Sequence, residues 1–170
     1  QLNMSKASTY LKKAVQLDSS NIRAVSDYAL ILCKDDSPDT GLSVLQKNVA
    51  QPALASLSTR LAFARCYEAT GDLEQAESAY MSVLNESANQ RQALLSMAKL
   101  KFDAGRYLSA SGFMQRYFYT NAMAPSALLL GASIENALDN IEERDYYTRQ
   151  LWTLYPKSNQ ASEARKRFSQ

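Results

Sequence analysis

Small residues recur along the chain at Ala7, Gly41, Ala76 and Ala110, separated by 34, 35 and 34 residues, and each opens a similar apolar-patterned segment. A chain with this period repeats one supersecondary unit, because a unit of that length cannot bury its own hydrophobic face alone. The clearest unit runs from Leu57 to about Gln90: Phe63, Ala64 and Tyr67 fall on a first helix, Gly71 at a turn, and Ala76 and Tyr80 on a second helix. Small side chains at Ala64 and Ala76 let two helices approach closely, and the two tyrosines fill the space beside them. Gly71 suits the left-handed residue that ends a helix.

A 34-residue helix–turn–helix unit is the tetratricopeptide repeat, so the expected fold class is all-α: a right-handed superhelix of antiparallel helix hairpins closed by a short C-terminal capping helix. The expected organisation is a single domain over 1–170. Residues 1–20 form the second helix of a truncated first repeat, with Ala7, Leu11 and Ala14 on its inner face. Repeat 2 spans 21–53, repeat 3 spans 54–89, repeat 4 spans 90–123 and repeat 5 spans 124–156, with 157–170 as the cap. Repeat 4 carries Leu94, Met97, Ala98, Gly105, Tyr107, Ala110, Met114 and Tyr117, with Lys101 where an aromatic is usual. In repeat 5, Arg144 occupies a slot usually kept small, which predicts a splayed hairpin. Ala161, Ala164 and Phe168 line one face of the expected cap, and the basic Arg165, Lys166 and Arg167 lie elsewhere on it. The chain opens at Gln1 already in a helical pattern, so a processed or trimmed start is expected.

Several function classes recede on composition. Nineteen basic and 17 acidic residues are scattered along the sequence for a net charge of +2, and no basic stripe forms that would neutralise a run of phosphates, so no nucleic-acid partner is expected. Apolar runs such as 127–130 fall far short of the roughly 20 residues a membrane-crossing helix needs. There is no histidine, hence neither the usual general base near neutral pH nor the commonest metal ligand. Ser96 and Lys99 do match the S-x-x-K nucleophile spacing. They lie inside a repeat helix whose Met97 and Ala98 are already explained by packing, so catalysis is not expected, nor is any cofactor. The acidic pairs Asp35–Asp36 and Glu142–Glu143 read as charges that complement helix termini.

Cys33 and Cys66 stand 33 residues apart, almost one repeat, near corresponding points on first helices of adjacent units. Two readings are open, and the disulfide is the one preferred. As buried free thiols they are small hydrophobic fillers; as a disulfide they tie two repeats together and imply an oxidising compartment.

The chain resembles the type IV pilus biogenesis lipoproteins of Gram-negative bacteria, the PilW/PilF or pilotin family, over nearly its whole length. The likeness lies in Ile31-Leu32-Cys33, in Cys66-Tyr67-Glu68-Ala69-Thr70-Gly71-Asp72, and in a C-terminal series: Gly105-Arg106-Tyr107, Arg116-Tyr117, Leu130-Gly131, Ile134-Glu135-Asn136-Ala137-Leu138 and Leu154-Tyr155-Pro156-Lys157-Ser158. Gly41, Asn48 and Arg144 depart from the residues usual in these repeats. The resemblance implies a lipoprotein on the periplasmic face of the outer membrane, held by an acylated cysteine that would precede Gln1. It also implies that the protein helps the pilus secretin assemble as a multimer.

The function expected is therefore protein binding, with a pilus secretin subunit or another pilus assembly protein as partner. The alternative is a generic adaptor that grips a peptide tail of another complex. Such adaptors hold a terminal carboxylate with Lys, Arg and Asn on successive first helices. Here the corresponding positions are Ser26, Leu30, Ala62, Gln92 and Ser96, which lack that clamp. The first helix of each hairpin in such a stack faces an inner groove, which predicts a partner-binding face of Leu30, Leu61, Arg65, Leu95, Lys99 and Phe102.

Overall fold

In a computed structural model, which describes residues 2–35, 37–120 and 122–168, the chain is all-α and no strand occurs among those residues. Its contacts divide it into two compact units, residues 1–88 and 89–170, each built of antiparallel hairpins. Unit 1 comprises α1 (Leu2–Leu17), α2 (Ile22–Lys34), α3 (Pro38–Asn48), a 3₁₀ turn (Pro52–Leu54), α4 (Leu57–Thr70) and α5 (Leu73–Glu86). Unit 2 comprises α6 (Arg91–Asp103), α7 (Tyr107–Thr120), α8 (Pro125–Ala137), α9 (Ile141–Leu154) and α10 (Asn159–Phe168). The division between them falls between Ala88 and Asn89.

Helix ends follow from local chemistry. Asn21, Ser56, Asp72 and Gln90 each cap a helix by accepting a bond from the amide three residues on, which satisfies one of the donors a helix start leaves over. Pro38 and Pro125 open α3 and α8, where a missing N–H costs nothing. Gly71 (φ +82°) and Gly105 (φ +71°) take the left-handed conformation between paired helices, and Asp139 (φ +56°) does the same work between α8 and α9. Aspartate is one of the few side chains that tolerates that region. Asp36 lies outside the described residues.

In unit 1 the α4–α5 hairpin closes on Ala64 and Ala76, both wholly buried. Tyr80 is buried beside them, and its hydroxyl donates to Glu68 at 2.6 Å. A core of Val25, Ala29, Leu45, Val49, Ala62, Phe63 and Cys66 joins α2, α3 and α4. Tyr67 is only half-buried, contrary to the core position its spacing suggests: it stacks on Phe63 at 6.1 Å and lies at the edge of that core.

In unit 2 the α6–α7 hairpin closes on Ala98 and Ala110 in the same way. Leu128, Ala132, Tyr147 and Leu151 of α8 and α9 pack with Ala161, Ala164 and Phe168 of α10. The α8–α9 hairpin is not splayed. Its close approach is provided by Gly131, where a β-carbon would stand 3.1 Å from the Tyr147 ring and 3.3 Å from Phe118. Arg144 lies at the edge of the hairpin, half-buried, where it binds Asp145 at 2.7 Å and reaches Asn136 of α8 at 3.3 Å. The small residue needed for the crossing is supplied by α8, and the arginine never enters it.

Candidate binding surface

The six residues expected to face a partner divide between the units, and each set takes its character from the helix beneath it. In unit 1, Leu30 of α2 is half-buried against the core and Arg65 of α4 is half-buried as well. Leu61 is only 8% exposed. That corrects the expectation for Leu61: its side chain is buried and offers a partner almost no area.

The two cysteines are joined. Cys33 and Cys66 form a disulfide between α2 and α4 with Cα atoms 5.3 Å apart. Gly41, one of the departures noted in the sequence, is explained by this bond. A β-carbon there would collide with the Cys33 sulfur and stand 2.8 Å from the Ala29 carbonyl oxygen. The sulfur occupies the space that alanine fills elsewhere in the repeats.

Unit 1 also carries an open cleft of about 850 Å³ between the first turns of α2 and α4, walled by residues 48–51 and 54–56. Arg23 and Asp27, one turn apart on α2, line it, together with Gln51 and Leu54. Leu54 is 80% exposed. The floor is polar yet satisfied: buried Ser26 donates to the Ile22 carbonyl at 2.8 Å and lies 3.0 Å from the Thr59 hydroxyl, which in turn meets Ser56 at 2.9 Å. None of Leu30, Leu61 and Arg65 lines this cleft. Periodicity missed it because one wall is an inter-repeat connection, which the repeat pattern does not describe.

Within unit 2, Leu95 and Phe102 of α6 are half-buried, and the Phe102 ring meets Tyr107 at 5.6 Å. Lys99 is exposed and pairs with Asp103 at 2.9 Å one turn along; an exposed pair of this kind contributes only about 0.3 to 0.5 kcal/mol. Ser96 shares that helix as half-buried surface, so the S-x-x-K spacing lies on the flank of a packed helix. A buried carboxylate in this unit is fully engaged: Glu135 accepts from Ser111 at 2.7 Å and from Asn140 at 3.0 Å. That network ties α7 to the α8–α9 turn, and a buried polar group with both oxygens bonded is structural by default. Among the described residues no cluster of carboxylates and cysteines has the makings of a metal site. No described helix is long and apolar enough to cross a membrane.

No protein-family model and no curated protein sequence matches the chain. Solved structures do. PilW, described as a widely conserved type IV pilus biogenesis factor, superposes with a TM-score of 0.78 at 22% identity, over 90% of this chain and 71% of its own. PilF of Pseudomonas aeruginosa gives 0.74 at 21% identity, over 92% and 71%. A tetratricopeptide repeat protein of Parabacteroides merdae gives 0.74 at 17% identity, over 98% and 67%. The fold is the tetratricopeptide-repeat fold. At these identities the likeness is one of architecture, and what the chain binds must be argued from its own surface.

Proposed function

We propose that this chain is a protein-binding assembly factor of type IV pilus biogenesis, which holds a pilus secretin subunit, or another pilus assembly protein, while the secretin forms its multimer in the outer membrane. The observation that carries this reading is the match to PilW over nine-tenths of the chain. The Cys33–Cys66 disulfide supports it independently, since such bonds persist in oxidising compartments such as the periplasm. The protein works on the periplasmic face of the outer membrane of a Gram-negative bacterium, tethered through a lipid on a cysteine upstream of Gln1. Its contribution is binding, without a cofactor or a chemical step. Leu30 and Arg65 on unit 1, and separately Leu95, Lys99 and Phe102 on unit 2, supply contacts, the apolar side chains giving affinity and each cation orienting an acidic group of the partner on its own unit.

The test is genetic and biochemical together. Deleting the gene in its source bacterium should deplete heat-resistant secretin multimers from outer-membrane fractions, and wild-type protein should restore them. Leu95→Asp with Phe102→Ala should keep the wild-type circular dichroism spectrum and fail to restore them. Normal multimers in the deletion strain would end the secretin reading. Multimers restored in full by the folded double variant would remove α6 from the contact surface.

A further inference from the structure

The cleft of unit 1 is lined by charges and main-chain groups that the fold leaves unused. Arg23 and Asp27, one turn apart on α2, are both exposed and both line it. They are opposite in sign, yet neither makes an ion pair or a side-chain hydrogen bond among the described residues. Arg23 also stands in the first turn of α2, which holds no acidic residue, although the amide end of a helix favours an anion. A side chain that breaks the local rule without a compensating contact is expected at a functional position. On the connecting wall, the amides of Ala50 and Gln51 make no hydrogen bond among the described residues. Leu54, on the same wall, is 80% exposed.

These groups together specify an occupant. Positions 23 and 27 are separated by about 6 Å along the axis of α2, four residues at 1.5 Å each. In an extended chain, residues two apart point the same way and are separated by about 6.7 Å. An extended segment laid along α2 therefore brings a carboxylate to Arg23 and a cation to Asp27 when the two lie at positions i and i+2. The same alternation turns the intervening and flanking side chains the other way, toward the wall, where the exposed Leu54 rewards aliphatic ones. The open amides of Ala50 and Gln51 offer donors to the segment's carbonyls, the kind of contact that gives a bound peptide its affinity while side chains give it specificity. A compact apolar ligand fits less well, because the cleft is open and its floor is the hydrogen-bonded Ser26, Thr59 and Ser56.

We infer that the cleft between the first turns of α2 and α4 binds an extended segment of a partner protein, in which an acidic and a basic residue two positions apart meet Arg23 and Asp27 among aliphatic neighbours. The inference rests on the reading of this chain as a protein binder and holds whichever protein supplies the segment. Charge pairs at an exposed site are worth at most about 1 kcal/mol each, so the binding is weak and reversible, and its selectivity lies in the spacing of the two charges.

Fluorescence anisotropy with labelled, end-blocked peptides tests this on the whole protein. Val-Glu-Val-Lys-Val should bind about tenfold more tightly than Val-Glu-Lys-Val-Val, which has the same composition but sends its two charges to opposite faces. Variants of the protein then locate the site. Arg23→Gln should weaken the first peptide about fivefold and leave Val-Gln-Val-Lys-Val unchanged, and Asp27→Asn should do the same for the first peptide against Val-Glu-Val-Gln-Val. Leu54→Ser should weaken all of them alike. All three positions are exposed, so the circular dichroism spectra should match the wild type. Equal binding of the two charge spacings overturns the inference, as does the absence of any binding up to about 1 mM peptide. So does wild-type affinity in the Arg23 and Asp27 variants, which would put the peptide elsewhere on the surface. These readings use no secretin, so their failure leaves the multimer experiment, and the assembly-factor reading it tests, to stand or fall separately.

Discussion

At Gly41 the disulfide and the backbone compete for one small volume. A β-carbon there would run into the Cys33 sulfur and crowd the Ala29 carbonyl, which is backbone and cannot swing aside. Gly41→Ala is therefore expected to lose about 1 to 3 kcal/mol of unfolding free energy, the usual cost of overpacking a closed site. The cost should shrink when Cys33 and Cys66 are both replaced by alanine, because the sulfur is then gone. A double-mutant cycle in urea reads this coupling; effects that add to within about 0.5 kcal/mol would show the two sites to be independent. Tyr147 gives a second prediction at this scale. Burial pushes its phenol far above the ordinary tyrosine range, and the carboxylates of Glu143 and Glu135 push the same way. The folded state thus holds the proton more tightly than the unfolded chain. Its contribution is fully present below about pH 10, where the unfolded phenol begins to ionise, and declines as pH rises further. Melting temperatures followed from pH 8 to 11 should fall less steeply in Tyr147→Phe than in the wild type; parallel curves would refute the assignment.

Among the elements, the hairpin crossings depend on small residues, Ala76 among them. It is wholly buried in unit 1, where α5 packs on α4 beside Ala64, so Ala76→Leu should cost about 1 to 3 kcal/mol. A variant that melts with the wild type would mean that α5 can rotate to expose the leucine. These crossings are legible in the sequence because alanine and glycine recur with the repeat, and Gly71 and Gly105 mark the turns between paired helices. The cap α10 is legible too, since Ala161, Ala164 and Phe168 lie on one helical face and the cations lie off it. What escapes the repeat pattern is set by partners that no fixed spacing specifies. Arg144 suggests a splayed hairpin only until Gly131 is seen to provide the close approach from the opposite helix. Leu61 occupies a first-helix position typical of an inner face, yet its side chain is buried. Tyr119 adjoins a buried Tyr117 and a half-buried Phe118, but its own direction on α7 points it into solvent.

For the molecule as a whole, the covalent bond between α2 and α4 is the feature with the largest expected energetic weight. It closes a loop of 33 residues. In the chain-entropy account a loop of that size restricts the unfolded ensemble enough to add roughly 3 to 4 kcal/mol of stability, a large part of the roughly 5 to 15 kcal/mol that ordinary domains have in total. The bond lies inside unit 1, so unit 1 is where its loss should be felt: α2 and α4 would then be joined by the Val25, Ala29, Ala62 and Phe63 contacts and by the Ser26–Thr59 hydroxyl contact. Reduced protein should therefore unfold at a lower urea concentration than oxidised protein when helix content is followed by circular dichroism, with little change in the folded spectrum. Replacing both cysteines by serine should reproduce the shift without any reductant, which separates loss of the cross-link from side effects of the reagent. Coincident transitions for oxidised, reduced and serine-substituted protein would mean that packing alone holds α2 on α4. The oxidising environment would then be dispensable for folding, and with it would go the second line of support for a periplasmic role.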